Sequence, residues 1–351
     1  MIQTVEAVEF IGLSRQYPVI DVRTPGEFLQ GHIPEAFNIP LFSNDERAII
    51  GTLYHQNGRE SALTKGLELA LPKTEDYVAM LRSVTNKPSV LVHCWRGGMR
   101  SAGMAEVFEK AGLTVYLLQG GYKMYRKTVR EGFTHKAPLL VLGGYTGTGK
   151  TEILGALFLL GEQVIDLEKL ACHKGSVFGA LGEKRQPTNE QFENDLYRLW
   201  SGLDFSKRIW IEDESRMIGN ITLPEPIKDQ ISRALLIRID VPLPVRIHKL
   251  VREYAGFPKP LLAEAIIKIQ RRIGGARTKM ALEALEKGRF ESVAEIILSY
   301  YDKAYRFAIE HRNGKMIHTL ELKHPESRLN ATHILSFIRK TISHDAHLSG
   351  L

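Results

Sequence analysis

The amino-acid sequence predicts an α/β protein with two successive parallel-sheet domains, the second of which continues into a helical C-terminal part. Short apolar runs typical of buried strands alternate with helical patterns in the first third of the chain. A polar segment of mixed charge follows at residues 127–138, and the alternation then begins again. A length of 351 residues also fits two domains. We therefore expect a first domain over residues 1–132 and a second over residues 133–351.

The order of the predicted elements supports this division. In the first domain, we expect strands at residues 17–22, 36–40, 89–93 and 114–118, and helices at residues 76–84 and 101–111. In the second domain, we expect strands at residues 138–142, 163–166, 208–211 and 234–240. Beyond Pro244 the pattern becomes mainly helical, with amphipathic stretches at residues 263–272, 279–287 and 290–310.

Composition excludes several classes of protein. The two cysteines, Cys94 and Cys172, are too few for a disulfide framework or a structural zinc site, and they fit a reducing compartment. The first residues lack the basic and apolar regions of a signal peptide, and the sequence contains no apolar run that could span a bilayer. We expect a cytoplasmic protein without a membrane partner. The net charge of +7 favours a polyanionic partner.

A cysteine-centred loop follows the predicted strand at residues 89–93. Its candidate catalytic residue is Cys94, and the residues expected to surround a bound anion are Trp95, Arg96, Gly97, Gly98 and Arg100. A thiol reacts as its thiolate, and backbone N–H groups, a helix N-terminus and nearby arginines all lower the pKa of a thiol. The clustering of these features favours a reactive cysteine over an inert buried one.

The first domain resembles the rhodanese-like domains over most of residues 1–130. The motifs behind this resemblance are Ile20-Asp-Val-Arg23, Glu27-Phe28, Gly31-His-Ile-Pro34, Asn38-Ile-Pro40, the Cys94 loop and Gly120-Gly-Tyr122. The resemblance implies that Cys94 carries a transferable sulfur, and that Asp21, Arg23, Glu27 and His32 are structural. Five residues separate Cys94 from Arg100, one more than in ordinary sulfurtransferases of this family and as many as in its phosphatase relatives. The wider loop suits a larger anion and leaves phosphatase action open.

A phosphate-binding loop begins the second domain. The pattern Gly144-x-x-x-x-Gly149-Lys150-Thr151 follows an apolar strand and fits the Walker A motif, whose backbone N–H groups and lysine hold phosphates. The residues expected to bind phosphate are Gly144, Thr146, Gly147, Thr148, Gly149, Lys150 and Thr151. An acidic strand end at Glu212 and Asp213 is the candidate partner of this loop, or else a solvated turn. No metal site is certain; if Mg²⁺ binds, its expected ligands are Thr151 and Glu212 or Asp213.

Two further sets of residues are candidates for substrate contacts. The loop after the strand at residues 163–166 should lie beside the phosphate loop, because ligands of open α/β sheets bind at the carboxyl ends of the strands. Its candidates are Asp166, His173, Lys174 and Ser176. The helical part carries cations that suit a nucleic-acid backbone or form a solvated face: Arg246, His248, Lys249, Arg252, Lys268, Arg271, Arg272, Arg277 and Lys279.

In combination, these motifs resemble the tRNA 2-selenouridine synthase family over nearly the whole chain. The resemblance implies a transferase that geranylates 2-thiouridine at the tRNA wobble position with geranyl diphosphate and then replaces the S-geranyl group with selenium from selenophosphate. It implies no tightly bound cofactor. The expected partners are the anticodon arm of tRNA and an enzyme that supplies selenophosphate. Cys94 would hold selenium as a perselenide, or its loop would bind selenophosphate, and the sequence does not choose between these roles.

Two other functions remain open from the residues alone. The acidic strand end also fits an NTP-dependent kinase or ATPase that carries a rhodanese-like sulfur-carrier domain, so the phosphate loop binds either geranyl diphosphate or a nucleotide. The positive charge also fits an RNA-binding adaptor without catalytic activity.

Overall fold

The computed structural model describes residues 1–312, 316–322 and 326–344, except the side chains of residues 342–344. The chain forms two compact units, one comprising Met1–Gly132 with Glu193–Arg198 and the other Phe133–Phe192 with Leu199–Leu351. Each unit contains a parallel sheet with helices, so the predicted α/β fold class is confirmed. Within the described ranges, no helix combines the length and apolarity needed to cross a membrane.

The first unit is built on a five-stranded parallel sheet with the strand order β1-β5-β4-β2-β3. Its elements are β1 (Ile2–Val5), α1 (Ala7–Leu13), β2 (Val19–Asp21), α2 (Pro25–Gln30), β3 (Phe37–Asn38), α3 (Asn44–Ala70), a 3₁₀ turn (Leu71–Lys73), α4 (Thr74–Val84), β4 (Ser89–His93), α5 (Met99–Lys110), β5 (Thr114–Leu118) and α6 (Gly121–Gly132). Strands β4 and β5 have the predicted bounds. Strand β4 is buried along its whole length at the centre of the sheet, and its carboxyl end presents Cys94.

Several elements of the first unit were not predicted, namely strand β1, helices α1, α2, α3 and α6, and the 3₁₀ turn. Strand β1 lies at the sheet edge and buries only Val5, so it lacks a strong apolar pattern. Helix α3 is mostly polar and contains a break at Gly58, where φ is 82°. Its beginning has a sequence signature that was overlooked: the Ser43 hydroxyl accepts the Glu46 N–H, and the Glu46 carboxylate accepts the Ser43 N–H.

A short stretch from later in the sequence completes the first unit. It comes from the middle of helix α9 (Asn189–Trp200), where Asn194 is fully buried. The Asn194 amide donates hydrogen bonds to the His32 carbonyl and the Tyr122 hydroxyl, both at 2.8 Å, and its carbonyl oxygen accepts one from Arg126 at 2.6 Å. Buried amides need such partners, because leaving them unpaired costs about 1–3 kcal/mol each.

The second unit contains another five-stranded parallel sheet, with the order β12-β11-β6-β8-β7. Its elements, beside α9, are β6 (Leu139–Gly144), α7 (Lys150–Leu159), β7 (Gln163–Ile165), α8 (Leu167–Ala171), β8 (Ile209–Glu212), β9 (Met217–Ile218), β10 (Ile221–Thr222), α10 (Glu225–Arg233), β11 (Leu235–Asp240), α11 (Leu243–Tyr254), α12 (Lys259–Lys268), α13 (Gln270–Ile273), α14 (Gly275–Glu286), α15 (Phe290–Glu310), β12 (Ile317–Glu321) and α16 (Ser327–His344). Strands β9 and β10 form a separate antiparallel pair.

The topology of this sheet explains where the phosphate loop lies. From the central strand β6 the chain passes to β7 and β8 on one side and later to β11 and β12 on the other. A parallel sheet with this switch of direction leaves a crevice at the carboxyl end of its central strand, where ligands bind. The loop at residues 144–151 occupies that position between β6 and α7.

Helices α12 to α15 pack around a second apolar core that includes Leu262, Ile266, Leu285 and Ile297. Helix α15 has the predicted bounds, whereas the single helix predicted at residues 263–272 is two helices, α12 and α13, that meet at Ile269. Strand β12 and helix α16 were not predicted. Their apolar residues Leu320, Ile334 and Ile338 join the core of the sheet, which the sequence alone does not link to β11 and α7.

Candidate active sites

The thiol of Cys94 lies where strand β4 ends and the loop to α5 begins. It is only 3 % exposed, and its sulfur is 3.3 Å from the hydroxyl oxygen of Ser101 in the first turn of α5. Burial raises the pKa of this thiol, but the Ser101 hydroxyl, the backbone N–H of Arg96 and the charge of Arg100 outweigh burial and lower it. The loop therefore favours the thiolate, the reactive form of cysteine.

The two loop arginines have different surroundings. Arg100 forms an ion pair with Glu27, with N–O distances of 2.8 and 3.3 Å, whereas Arg96 is exposed beside the exposed ring of Trp95. Glu27 also accepts the Thr24 N–H in the cap of α2. Arg100 is thus held in place by α2, and the Arg96 guanidinium is on the solvent side of the loop.

Close backbone packing fixes the shape of the cysteine loop. Gly121 has a φ of 59°, and a Cβ atom at this position would lie 2.5 Å from the Cys94 carbonyl oxygen and also clash with the N–H groups of Gly97 and Arg96. Only glycine satisfies both requirements. The predicted Gly120-Gly121 pair therefore serves the cysteine loop directly, although it is distant in sequence. Gly98, the other loop glycine, is the N-cap of α5.

A fully buried ionic group lies near the carboxyl ends of β2 and β4. Arg23 donates to both carboxylate oxygens of Asp21, with its closest contact at 2.6 Å, and the His93 ring lies 3.7 Å from the same carboxylate. Burial raises the pKa of Asp21, but His93 and Arg23 outweigh it and keep the pKa low. The Arg23 guanidinium also stacks over Tyr122, 3.7 Å from the ring centre. These contacts support the structural role expected for Asp21 and Arg23.

The phosphate loop has the backbone shape that its glycines allow. Gly147 and Gly149 have φ values of 84° and 88°, and helix α7 begins directly after the loop at Lys150. The Lys150 ammonium donates to the Gly144 carbonyl at 3.2 Å, and the Thr148 hydroxyl donates to the Tyr145 carbonyl at 2.8 Å. The N–H groups at the start of α7 and the helix dipole provide the positive potential that phosphate binding requires.

A carboxylate that contacts Thr151 is followed by a second, buried carboxylate from the neighbouring strand β8. The Thr151 hydroxyl donates to Glu168 at 3.0 Å, and the Glu168 N–H donates to Glu212 at 3.0 Å. Glu212 is fully buried, and its second carboxylate oxygen has no hydrogen-bond partner among the described residues. Burial raises the pKa of Glu168 and, together with the charge of Glu168, raises that of Glu212 strongly and that of Glu214 to about 8. Raised pKa values favour the protonated, neutral carboxyl groups, which do not repel one another at this short range.

The two acidic candidates at the end of β8 differ in their partners. Glu212 belongs to the carboxylates near Thr151, whereas Asp213 pairs with Arg312 at 2.6 Å and lies 3.3 Å from the Tyr305 hydroxyl. Glu168 is the carboxylate that contacts Thr151 directly. In the described part of the chain, no group of three or more His, Cys, Asp or Glu residues is arranged to hold a metal ion. If Mg²⁺ binds, Thr151 and Glu168 are better placed than Asp213, whose carboxylate is already paired with Arg312.

A cavity of about 1300 Å³ opens at the phosphate loop. Its lining includes most of the predicted loop residues and three of the four predicted substrate contacts: Gly144, Thr146, Gly147, Gly149, Lys150, Thr151, His173, Lys174 and Ser176. The fourth, Asp166, does not line it; its carboxylate caps α8 by accepting the Lys169 N–H at 2.8 Å. Burial lowers the pKa of His173, so the ring is held neutral. Lys174 pairs with Glu253 at 2.7 Å.

The helical cations do not form one solvated face. Arg246 is 4 % exposed; it makes a two-pronged ion pair with Asp302 at 2.8 and 2.7 Å and donates to the Thr146 carbonyl at 3.2 Å. Its interpretation as a nucleic-acid contact is wrong, because its charge is buried and already paired. Lys249 pairs with Glu152 and lies beside Gly149, where a Cβ atom would be 3.1 Å from the lysine nitrogen. Lys268 and Arg272 line the cavity.

Sequence reasoning missed three contributions to these sites, those of Ser101, Glu168 and Glu214. It named Lys249 only as a candidate for nucleic-acid contact and not as a neighbour of the phosphate loop. The position of Ser101 directly after the loop arginine was the available indication, since a hydroxyl in the first turn of α5 points back to the loop. Glu168 was visible as a carboxylate two residues after a strand. The others depend on contacts distant in sequence.

The fold and the loops together define a rhodanese-like unit whose cysteine has a lowered pKa and a P-loop unit with a large polar cavity. Residues 6–128 match the model of the rhodanese-like domain, and residues 137–332 match that of the tRNA 2-selenouridine synthase AAA domain. The tRNA 2-selenouridine synthase of Bdellovibrio bacteriovorus is 34% identical over 84% of this chain and 90% of its own length. Those of Shewanella piezotolerans and Proteus mirabilis are 33% and 32% identical over 87% and 88% of this chain and 92% and 93% of their own lengths. The chain belongs to the tRNA 2-selenouridine synthase family, as the sequence motifs predicted.

Proposed function

We propose that this protein is a transferase that converts 2-thiouridine at the wobble position of tRNA to 2-selenouridine in two steps. Its phosphate loop activates the thiobase through a prenyl diphosphate, and its cysteine loop handles the selenium donor. The observation that contributes most is the pairing, in one chain of this family, of a thiol with a lowered pKa and a phosphate loop that opens on a cavity of about 1300 Å³. Membership of the family supports tRNA as the substrate.

In the first step, the sulfur of 2-thiouridine attacks the carbon that bears the diphosphate of geranyl diphosphate. The carbon–oxygen bond breaks, diphosphate leaves with the bonding electrons, and the base loses its N3 proton to solvent or to a carboxylate. In this proposal, the Lys150 ammonium and the N–H groups at the start of α7 stabilise the charge that develops on the leaving group, which their position in the phosphate loop supports. No nucleotide hydrolysis is required.

In the second step, selenium replaces the S-geranyl group. The selenium of selenophosphate attacks carbon 2 of the modified base, and geranylthiol leaves. Water then takes the phosphoryl group from selenium and gives 2-selenouridine and phosphate. The loop that begins at Cys94 suits an anion as large as selenophosphate. Five residues separate Cys94 from Arg100, and a loop of this length is wider than one that holds a single sulfur atom needs to be. Exposed Arg96 is available to such an anion, while Arg100 shapes the loop through Glu27.

The tRNA itself requires a cationic surface. Lys268 and Arg272 line the cavity in the second unit, and Arg271 and Arg277 are exposed nearby in sequence. Contacts of this kind bind the phosphate backbone, and a loop base that is not paired can be turned into a pocket. An anticodon loop presents its wobble base in this way.

Nucleoside mass spectrometry on 2-thiouridine-containing tRNA tests the two assignments separately. Cys94→Ala should abolish incorporation of selenium from selenophosphate and leave geranylation intact, whereas Lys150→Ala should abolish geranylation. Cys172→Ala removes the other cysteine, and Lys303→Ala removes an exposed lysine of α15; both should behave as wild type. Equal loss of both steps in folded Cys94→Ala would refute the division of roles. Intact-mass measurement after incubation with selenophosphate decides whether Cys94 itself acquires selenium.

A nucleotide-dependent function is the alternative that one observation favours. The Thr151 hydroxyl and the carboxylates of Glu168 and Glu212 form the kind of surroundings that a Mg²⁺–nucleotide complex uses. Steady ATP hydrolysis without tRNA or prenyl diphosphate, lost in Lys150→Ala, would establish this function in place of prenyl transfer.

A further inference from the structure

A small apolar chamber lies among the helices of the second unit, next to the polar cavity. Its volume is about 60 Å³, and side chains of α11, α12, α14 and α15 form its walls, among them Leu250, Leu262, Leu285 and Ile297. One buried water needs about 10–15 Å³ of such space, so the chamber holds about four to six groups of that size. That room suits a short hydrocarbon chain.

The chamber and the phosphate loop share a boundary. Five residues line both the chamber and the large polar cavity, namely Thr146, Ser176, Leu250, Tyr254 and Tyr301. Thr146 belongs to the phosphate loop itself. A ligand whose phosphates rest on the loop therefore has the mouth of the chamber directly beside it.

Two of the hydroxyl groups at this mouth already accept hydrogen bonds from the protein backbone. The Tyr301 hydroxyl accepts the Val177 N–H at 2.8 Å, and the Ser176 hydroxyl accepts the Phe178 N–H at 3.3 Å. The remaining walls are aliphatic or aromatic. A polar ligand would lose its water contacts here and gain few in return, whereas an apolar chain gains free energy in proportion to the area it buries.

We propose that the chamber binds the hydrocarbon tail of a prenyl diphosphate and limits its length to about two isoprene units. This inference rests on the proposed function, because the head of the same molecule is the diphosphate on the loop at residues 144–151. The first isoprene unit lies at the mouth beside Thr146, which keeps the reacting carbon in the polar cavity. The second unit enters the chamber.

Two side chains of α15 set the size of the chamber. Ala294 is half-buried in its wall and is the smallest side chain that this helix contributes there, and Phe290 lies one turn earlier in the same wall. Ala294→Phe fills the chamber, and Phe290→Ala enlarges it. Ala276→Phe is the matched control, since Ala276 is exposed on neighbouring α14 and outside the chamber.

Binding measurements on the full chain separate the head of the ligand from its tail. Calorimetric titrations with inorganic, dimethylallyl, geranyl, farnesyl and adenosine diphosphate compare the wild type with the three variants. Ala294→Phe should weaken the binding of geranyl diphosphate by about tenfold or more, because the burial of about two methylene groups is lost. The affinity for inorganic diphosphate should stay unchanged. Phe290→Ala should bind farnesyl diphosphate relatively better than the wild type does. Ala276→Phe should match the wild type for every ligand.

Several outcomes would overturn the proposal. One is an unchanged preference for chain length in both folded chamber variants. Another is an equal loss of affinity for inorganic diphosphate and for geranyl diphosphate in Ala294→Phe. A loss of adenosine diphosphate alone in that variant would show that the chamber takes a nucleobase. If Ala294→Phe fails to fold, as judged by thermal unfolding, Phe290→Ala decides through farnesyl diphosphate.

Failure of the chamber and failure of the proposed function give different results. A wild type that geranylates thiolated tRNA, with chamber variants of unchanged chain-length preference, refutes the chamber alone. A wild type that binds prenyl diphosphates according to tail length but leaves thiolated tRNA unmodified refutes the proposed function and retains the chamber as a site for an apolar tail.

Discussion

Removing the carboxylate of Asp302 should destabilise the second unit and weaken the binding of phosphates at the loop. Its partner Arg246 is buried, and the pair is joined by two hydrogen bonds of 2.8 and 2.7 Å. Taking away one member of a buried ion pair leaves the other charge uncompensated and costs about 3–5 kcal/mol. The Asp302 side chain is 17% exposed, so water can partly replace it. We therefore expect Asp302→Ala to lower the free energy of unfolding by about 3 kcal/mol, the lower end of that range.

A double variant separates stability from function. Replacing both partners by apolar side chains, as in Arg246→Met with Asp302→Leu, should restore stability to within about 1 kcal/mol of wild type, since no charge then stays buried. It should not restore phosphate binding, because Arg246 also donates to the Thr146 carbonyl of the phosphate loop at 3.2 Å and methionine cannot replace this hydrogen bond. Affinity for inorganic diphosphate should therefore stay about tenfold weaker, as expected for one lost charged hydrogen bond.

Tryptophan fluorescence during urea unfolding measures this effect in the right unit. The chain has three tryptophans, and Trp95→Phe leaves Trp200 and Trp210, which are both buried in the second unit. That background avoids treating a two-unit chain as a single transition. Glu295→Ala, an exposed acid on α15, is the control and should be neutral. A cost below about 1 kcal/mol for Asp302→Ala, or a double variant as unstable as the single one, would refute the reasoning.

Three further predictions concern the thiol, the lysine beside the loop and the buried acids. Ser101→Ala should raise the pKa of Cys94, so alkylation by iodoacetamide at neutral pH should slow and its pH profile should move to higher pH; an unmoved profile would remove Ser101 from thiolate stabilisation. Lys249→Met should weaken inorganic diphosphate by about tenfold, because the ammonium lies beside Gly149, while Lys303→Met should have no effect; equal affinities would place Lys249 outside the site. Glu214 has a pKa of about 8 in the folded chain against 4.5 when unfolded, so its charge destabilises the fold increasingly as pH rises from 4.5 to 8. Glu214→Gln should therefore stabilise the protein by more than about 1 kcal/mol at pH 8.5 and by little at pH 5, and a gain independent of pH would contradict this.

Local pattern was sufficient for the elements that present the sites. Strand β4 with Cys94 and strand β6 with the phosphate loop are short apolar runs followed by glycine-rich loops, and such runs are identified without knowledge of distant contacts. Helix α15 has a regular apolar face along its length and was predicted with its observed bounds. The motifs and their positions were therefore predictable, and so was the family.

Contacts between distant residues were not predictable. A helical cation such as Arg246 has the same local pattern whether it faces solvent or a carboxylate, and Asp302 on another helix decides the matter. The different surroundings of Glu212 and Asp213 likewise depend on a distant residue. Arg312, which lies beyond the end of α15, forms an ion pair with Asp213. The apolar chamber needs four helices at once. The sequence pattern of each helix shows which face is apolar, but it does not show which of these faces pack against one another.

The place of Asn194 in the first unit limits the modularity of this chain. A fragment that ends after α6 would lack the amide that binds the His32 carbonyl and the Tyr122 hydroxyl, together with the acidic partner of Arg126. Transplanting the cysteine-bearing unit into another protein therefore requires two segments from distant parts of the sequence. The unit is a module in space without being one in the linear order of the gene, so it cannot be isolated intact by a single cut of the chain.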